Sequence, residues 1–198
     1  MSGPLVIGLA GGIGAGKSTL AAILQEEGCF VSDADALARL VLEEADVRAT
    51  IREWWGPEML GEEGKIDRRA LSAKVFSDVE ALRQLEALLH PRIEEARKAA
   101  FKGAGSPRAF VIDAPLLFET GLDEACDVVI FIDTPREVRL ERVFPRGWGP
   151  EELDRREALQ WGLDRKREHA DHVLANDGSR AALSERTRNL LDSLAPRN

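Results

Sequence analysis

One stretch near the start of the chain constrains the fold more than any other: Gly11-Gly12-Ile13-Gly14-Ala15-Gly16-Lys17-Ser18-Thr19. It fits the pattern of a glycine, four variable positions, Gly-Lys and a hydroxyl residue, which is typical of phosphate-binding loops. Residues 4–10 form an apolar run of strand length before it, and residues 19–27 predict a helix after it, closed by Gly28. The order of strand, loop and helix is the context that this motif requires.

The residue types of this loop suit a polyphosphate. Glycines permit positive φ values and carry no Cβ, so successive backbone N–H groups can turn toward an anion, and the start of the next helix adds to the attraction. Lys17 would bridge the outer phosphates, and Ser18 would supply a hydroxyl to Mg²⁺. A glycine-rich turn that binds nothing is the alternative, against which the Lys-Ser pair argues. The predicted nucleotide-binding residues are Gly12, Ile13, Gly14, Ala15, Gly16, Lys17, Ser18 and Thr19.

The composition limits the classes of partner. A chain of 198 residues, 44% hydrophobic, suits one domain or one domain with an insertion. Its formal net charge of −8 argues against broad binding of nucleic acid or of an anionic membrane. Cys29 and Cys126 lack the spacing of a zinc site, and we find no signal peptide or membrane-spanning run. We therefore expect a soluble, cytoplasmic protein.

An acid follows the second predicted strand, residues 29–32. Asp33 lies just past the carboxyl end of this strand, where open α/β sheets bind their ligands. We predict that Asp33 meets the group that accepts a phosphoryl group. Asp35 is suited to capping the helix predicted over residues 36–44, and capping is also the alternative for Asp33.

A long helical segment separates the second and third strands. The next strand-like run begins at Phe110, so residues 33–109 far exceed the roughly 30 residues of a whole βαβ unit. His90-Pro91 is predicted to end one helix and start the next. His90 then either interacts with the dipole of the helix that it ends or faces the ligand. The helical periodicities cover residues 47–55, 69–76, 79–89 and 91–101.

Three further strands are predicted over residues 110–112, 128–132 and 173–175. Together with the first two they make a five-stranded parallel sheet in a three-layer α/β fold. Asp113 ends the third strand, an arrangement used near Mg²⁺ in phosphoryl-transfer folds but common elsewhere. The apolar segment 114–119 after it is suited to closing one wall of a substrate pocket. Thr134-Pro135 has the cap-then-proline pattern of a helix start, and Ser179 is predicted to cap the last helix.

Arginines flank a Gly/Pro break late in the chain. Arg139, Arg142 and Arg146 fall on one stripe of a predicted helix, and Arg155 and Arg156 follow the break. This pattern indicates a mobile lid that brings positive charge to the transferring phosphate. A solvated charged face is the alternative, because glutamates are interleaved.

Over nearly its full length the chain resembles the dephospho-coenzyme A kinase family. The phosphate loop is shared by many families, so the His-Pro, Pro-Leu-Leu-x-Glu and Ala-Asp…Asn segments carry the specificity. Ala10, Ala15 and Arg139 depart from residues frequent in that family. The matching segments are Gly11 to Ser18, Asp33-Ala34-Asp35, Gly64 to Leu71, Val75-Phe76, Leu88-Leu89-His90-Pro91, Pro115 to Glu119, Arg142, Arg146, Arg156, Gln160, Ala170-Asp171, Asn176 and Gly178.

The resemblance implies a reaction: ATP phosphorylates the ribose 3′-hydroxyl of dephospho-coenzyme A, the last step of coenzyme A biosynthesis. It implies a P-loop kinase fold in a single domain over residues 1–198. The core would comprise 1–33, 108–142 and 160–198, the helical substrate-binding insertion 34–107 and the lid 143–159. ATP and Mg²⁺ are the implied cofactors.

The resemblance also assigns roles to residues. Asp33, Lys17, Arg142 and Arg146 would be catalytic, with Asp33 holding the ribose hydroxyl and accepting its proton late in the transfer. Asn176 would join the loop in binding the nucleotide, and Ser18 would bind the metal. The implied acceptor-binding residues are Asp33, Arg68, His90, Pro115, Leu116 and Glu119.

Other functions remain open at the level of sequence. One is a P-loop kinase that acts on a nucleoside monophosphate or a small metabolite alcohol. Another is a GTPase-like, nucleotide-gated binding module, although residues 176–179 lack the lysine of its guanine motif. A third is a module that holds ATP without turnover. For the kinase we expect ATP and dephospho-coenzyme A as partners, with no nucleic acid, membrane or obligate protein partner.

Overall fold

Five parallel strands form one sheet in the order β2-β3-β1-β4-β5 in the computed structural model, which describes residues 4–194. This confirms the predicted five-stranded parallel sheet. Because β1 lies between β3 and β4, the chain leaves it toward one edge of the sheet and later returns to fill the other. Ligands of open α/β sheets bind at such a switch point, beyond the carboxyl ends of the strands. The strands are β1 (Leu5–Gly11), β2 (Phe30–Asp33), β3 (Ala109–Asp113), β4 (Val128–Asp133) and β5 (His172–Ala175).

The described residues group into two compact units, one containing the residues up to Asp33 and from Ala104 onward, the other Ala34–Gly103. The first unit holds the sheet and the second is helical. No helix within residues 4–194 is long and apolar enough to cross a membrane. The α-helices are α1 (Lys17–Glu26), α2 (Ala34–Leu42), α3 (Ala45–Trp55), α4 (Arg68–Ser77), α5 (Val79–Gly103), α6 (Arg136–Val143), α7 (Pro150–Glu157), α8 (Leu163–Glu168) and α9 (Arg180–Leu194).

The core of the sheet unit is built from strands that are apolar on both faces. Ile7 and Leu9 of β1 and Ile130 of β4 are buried, and Leu20 and Ile23 of α1 pack in the same cluster. Strands covered on both faces have continuous apolar runs rather than alternation, which is why their sequence indicated them clearly. Full burial of each such side chain stabilises the fold by about 1.5–3 kcal/mol. The base of the phosphate loop therefore rests on a rigid strand.

The helical unit has a core of its own. Val41 of α2, Val47 and Ile51 of α3, and Leu85 and Leu89 of α5 are buried together. Each helix contributes one apolar stripe, as the three- and four-residue spacing predicted.

The predicted break at His90-Pro91 is wrong, because α5 continues through it from Val79 to Gly103. A proline inside a helix costs about 3 kcal/mol, since it removes one hydrogen bond and crowds the preceding turn. Burial on both sides offsets this cost: Leu89 lies in the core before Pro91, and Ile93 packs against the same core after it. In the crowded turn, Arg92 Nη1 donates to the Leu88 carbonyl at 2.9 Å. His90 therefore lies within a helix, and the predicted interaction with a helix C-terminus does not apply.

Two predicted helix starts differ in outcome. The Ser179 cap is confirmed, because its Oγ accepts a hydrogen bond from the Ala182 amide at 3.2 Å at the start of α9. The Thr134 cap is wrong: α6 follows Pro135 without a side-chain cap, and the Thr134 hydroxyl bonds elsewhere.

Candidate active site

The glycines of the phosphate loop hold a backbone shape that other residues would not adopt. The loop runs from the end of β1 at Gly11 to the start of α1 at Lys17. Gly14 has φ +76° and Gly16 has φ +97°, both in the left-handed region. A Cβ on Gly16 would lie 2.3 Å from Asn176 Nδ2, and one on Gly14 would lie 2.8 Å from the Arg139 carbonyl oxygen. The loop therefore needs glycine for both conformation and space.

One loop carbonyl is held by three donors. The Ala15 oxygen accepts from Asn176 Nδ2 at 2.7 Å, from Thr134 Oγ1 at 2.9 Å and from Arg142 Nη1 at 3.1 Å. The C=O and N–H of a trans peptide point in opposite directions, so fixing the Ala15 oxygen turns the Gly16 N–H the other way. This loop peptide is thus oriented by the residues that follow β4 and β5 and by one side chain of α6.

The predicted arginine stripe divides into residues with different surroundings. Arg139 is 4% exposed: its Nε donates to the Thr134 carbonyl and its Nη1 to the Ile13 carbonyl, and it pairs with Glu157. Neither the lid hypothesis nor the solvated-face alternative describes Arg139. Arg142 is half-buried and donates to the Asn176 carbonyl at 3.1 Å as well as to Ala15. Both arginines support the loop, and the catalytic role of Arg142 stays a prediction.

The remaining lid arginines lie in the segment after α6. Arg146 is exposed and its Cζ lies 5.8 Å from the centroid of the Trp148 ring, while that of Arg156 lies 4.0 Å from the same centroid. Hydrogen bonds from Arg155 and Arg156 lower the pKa of the Glu152 carboxylate to about 2. Positive charge is therefore present here, but part of it is neutralised by Glu152.

Two acids end adjacent strands at the carboxyl edge of the sheet. Asp33 is the last residue of β2 and Asp113 the last of β3, and the two are partners in the register of these strands. Asp113 is in turn the partner of Leu9 in β1, the strand that leads into the loop. Neighbouring strands lie about 4.8 Å apart, so Asp33 is two strands away from β1 at the edge where the loop begins. Asp33 is exposed and Asp113 half-buried.

The residues at this edge fit a magnesium nucleotide. No cluster of three or more His, Cys, Asp or Glu suited to a metal occurs within residues 4–194. Mg²⁺ in nucleotide sites keeps waters and phosphate oxygens and takes only one or two protein ligands. Ser18 is exposed in the first turn of α1, directly after the loop, and offers such a single hydroxyl. The first turn of α1 also contains Lys17 and Thr19.

The predicted acceptor-side segment, residues 115–119, is partly buried. Leu117 and Phe118 are 2% and 5% exposed, whereas Pro115 and Leu116 face solvent. Glu119 points inward: its Oε1 accepts from the Trp161 amide at 2.7 Å and lies 2.9 Å from Lys166 Nζ. The outward face of this turn is therefore free for a ligand, and acceptor contacts of these residues stay a prediction.

The other predicted acceptor residues belong to the helical unit. Arg68 is exposed and begins α4, where Asp67 caps the helix by accepting from the Arg69 and Ala70 amides at 2.9 and 3.1 Å. His90 is exposed on α5. Their predicted roles in binding the acceptor stay predictions.

Sequence reasoning missed the supporting contacts of two residues, Thr134 and Lys166. Thr134 was interpreted as a cap because a helix follows it, yet its hydroxyl donates to the loop. Lys166 was not singled out, although it is 1% exposed. The signal was weak: Lys166 follows Leu163 by one helical turn, so it shares the buried face of a short charged helix.

A glycine loop after the central strand, with its Ala15 carbonyl held by three donors and with acids ending two neighbouring strands, defines a phosphate-loop kinase fold. The chain belongs to the dephospho-CoA kinase family, whose model matches residues 5–182. This confirms the resemblance inferred from its motifs.

Individual proteins are similar to the chain over nearly their full length. The chain is 44% identical over 194 residues to the dephospho-CoA kinase of Anaeromyxobacter dehalogenans (strain 2CP-C), covering 96% of this chain and 92% of the relative. The crystal structure of TT1252 from Thermus thermophilus is 34% identical, with a TM-score of 0.88 and coverage of 99% and 100%. The dephospho-CoA kinase from Campylobacter jejuni is 28% identical, with a TM-score of 0.70 and coverage of 96% of each chain.

Proposed function

We propose that this protein transfers the γ-phosphoryl group of ATP to the ribose 3′-hydroxyl of dephospho-coenzyme A, giving coenzyme A and ADP. Family membership supports the reaction. The observation in this chain that carries the proposal is the anchored Ala15 carbonyl, because it turns the Gly16 N–H toward the opposite face of the loop, where a phosphate would bind. Backbone donors fixed before the reaction stabilise phosphate charge without reorganisation.

The residues have separate tasks in this proposal. The loop amides and Lys17 hold the β- and γ-phosphates, and Ser18 holds Mg²⁺, which when bound neutralises charge on the phosphate oxygens. Asp33 orients the ribose hydroxyl. A carboxylate is too weak a base to ionise an alcohol beforehand, so Asp33 takes the proton late, as the new bond forms.

The remaining predicted residues complete the site in this proposal. Arg146 approaches the transferring phosphate from the lid, and Arg142 keeps the loop and Asn176 in place. Arg68, His90, Pro115 and Leu116 contact the long acceptor. The cytoplasm, where ATP is made and consumed, remains the predicted location.

The test of the reaction is an ADP-release assay with Mg²⁺-ATP and four acceptors: dephospho-coenzyme A, adenosine, AMP and shikimate. We expect turnover with dephospho-coenzyme A far above the others, with one phosphate added at the 3′-hydroxyl by mass spectrometry and ³¹P NMR. Turnover of AMP or shikimate without turnover of dephospho-coenzyme A would establish the alternative kinase. ATP binding without any turnover would instead indicate a nucleotide-holding module.

Replacing Asp33 tests the acceptor side of the mechanism. Asp33→Asn keeps the shape but removes the proton acceptor, so we expect the turnover number to fall about 100-fold or more while ATP affinity changes little. Asp35→Asn is the matched control, because Asp35 lies in the first turn of α2, where a carboxylate favours the helix. Turnover of Asp33→Asn close to that of the wild type would remove Asp33 from this role.

A further inference from the structure

A buried ion pair joins the segment after β3 to helix α8. Lys166 Nζ lies 2.9 Å from Glu119 Oε1 and donates to Gln160 Oε1 at 3.1 Å, and the side chains of Lys166 and Glu119 are 2% and 15% exposed. The same Glu119 oxygen accepts from the Trp161 amide. Glu119 Oε1 thus binds both Trp161, which precedes α8, and the side chain of Lys166 within α8.

This pair has an energetic cost that apolar residues would avoid. Taking an ammonium and a carboxylate out of water costs several kcal/mol per ion, and replacement of buried pairs by apolar residues is often neutral or stabilising. Glu119 Oε2 is buried without a hydrogen-bond partner, which adds to the cost. Burial raises the pKa of Glu119, but hydrogen bonds from Lys166 and the Trp161 amide outweigh it, so the pKa lies below its ordinary value. The carboxylate therefore stays ionised. The pair is better explained by the positions that it fixes than by a gain in the stability of the fold.

The two ends of the pair belong to different parts of the candidate site. Glu119 closes the segment whose exposed residues Pro115 and Leu116 are predicted to meet the acceptor. Lys166 lies on α8, whose first residue packs behind the phosphate loop: a Cβ on Gly12 would lie 3.1 Å from Leu163 Cδ2. The pair therefore links the acceptor-side segment to the back of the nucleotide-binding loop.

The loop does not depend on this link for its own shape. Asn176, Thr134 and Arg142 hold the Ala15 carbonyl, and Arg139 holds that of Ile13. By contrast, the acceptor-side segment meets α8 and the residues before it through the Glu119 contacts with Lys166 and the Trp161 amide, and through the stacked rings of Phe118 and Trp161, whose centroids lie 5.6 Å apart. The Glu119 contacts are the polar ones among these, so loss of the pair should shift the end of this segment and leave the loop in place.

We propose that Lys166 is a positioning residue for phosphoryl transfer: through Glu119 it sets where residues 115–119 present the acceptor relative to the phosphate loop. The inference rests on the proposed function. A misplacement of about 1 Å costs about 100-fold in rate when reacting groups must be aligned. The effect should therefore appear in use of the acceptor and not in nucleotide affinity.

The test compares Lys166→Met with Lys166→Arg and with the neighbouring control Arg167→Met. Arg167 is on the same helix, but it is exposed and pairs with Asp133 at 2.7 Å. For Lys166→Met we expect kcat/KM for dephospho-coenzyme A to fall about 10-fold or more. The affinity for a non-hydrolysable ATP analogue should stay within about threefold of the wild type, and the number of analogue sites per chain should not change. Lys166→Arg should recover most of the loss, and Arg167→Met should match the wild type.

Two results would overturn the proposal. One is unchanged kcat/KM in Lys166→Met; the other is a loss of ATP-analogue sites equal to the loss of turnover, which would mean that the pair only stabilises the fold. If Lys166→Met does not fold, Glu119→Gln carries the same test, because it keeps an acceptor oxygen and removes the charge. A wild type that does not phosphorylate dephospho-coenzyme A would refute the proposed function, and this inference with it, before any variant is compared.

Discussion

Substituting alanine for Gly16 tests how the phosphate loop is built. Gly16 has φ +97°, and a Cβ there would lie 2.3 Å from Asn176 Nδ2, well inside contact distance. The amide of Asn176 would have to move, and with it the hydrogen bond of 2.7 Å that holds the Ala15 carbonyl. Gly16→Ala therefore acts on both the backbone and the anchor of the loop.

The expected loss of stability has two parts. An L-residue in the left-handed region costs about 1–2 kcal/mol. Displacing the Asn176 amide, which is 5% exposed, leaves a buried donor without its acceptor and costs a further 1–3 kcal/mol, roughly. The sum is about 2–5 kcal/mol, a large share of the 5–15 kcal/mol typical of a folded domain.

Gly28→Ala is the matched control. Gly28 lies just past the other end of α1 with φ +84°, but a Cβ there would meet no atom within 4 Å. It should show only the backbone part, about 1–2 kcal/mol. The assays are urea unfolding followed by circular dichroism and titration with an ATP analogue.

We expect the affinity of Gly16→Ala for the analogue to fall about 10-fold or more, because the peptide that presents the Gly16 amide is no longer fixed. Gly28→Ala should bind like the wild type. If the two variants lose equal stability and both keep wild-type affinity, the argument that Asn176 orients the loop is refuted.

Two further predictions concern charged residues behind and beyond the loop. Arg142→Ala removes donors to the Ala15 and Asn176 carbonyls and should weaken ATP-analogue binding about 10-fold or more. Arg146→Ala, at an exposed lid position, should lower kcat and leave this binding nearly unchanged. Normal binding by Arg142→Ala with weakened binding by Arg146→Ala would contradict the role inferred from the contacts of Arg142. The pKa of Glu152, lowered from 4.5 to about 2, should appear in a carbon-13 NMR titration. Its contribution to stability is complete above the ordinary pKa and is lost as the pH falls toward the lowered one, so Glu152→Gln should remove this part of the acid dependence.

The sheet could be predicted from sequence because its signals are local. Strands buried on both faces are continuous apolar runs, and the glycine loop fixes which strand leads into the site. The break at Pro91 was predicted by an equally local signal and was wrong. What decides there is the core on either side of the proline, which contains Leu89 before it and Ile93 after it, and this depends on contacts remote in sequence. Local propensity gives way where tertiary burial is larger.

The candidate site was predictable on its ligand side and not on its supporting side. Gly14, Gly16 and Lys17 form a motif whose spacing states their chemistry. Thr134 and Lys166 form no motif with the residues that they contact, because those contacts cross from one strand end or helix to another. A polar residue with a satisfactory local role, such as a cap, gives no indication that its hydroxyl bonds a distant carbonyl.

Buried cations show the physical reason most clearly. In a chain with net charge −8, an arginine or lysine is naturally assigned to solvent or to a ligand. Arg139 and Lys166 are instead 4% and 1% exposed, and each pairs with a glutamate. Within the phosphate loop the Ala15 amide donates to the Gly12 carbonyl at 3.1 Å, and Arg139 and Arg142 supply donors to the Ile13 and Ala15 carbonyls. The charge of Arg139 is offset by Glu157, so the half-buried Arg142 is the cation of this pair that favours an anion at the loop.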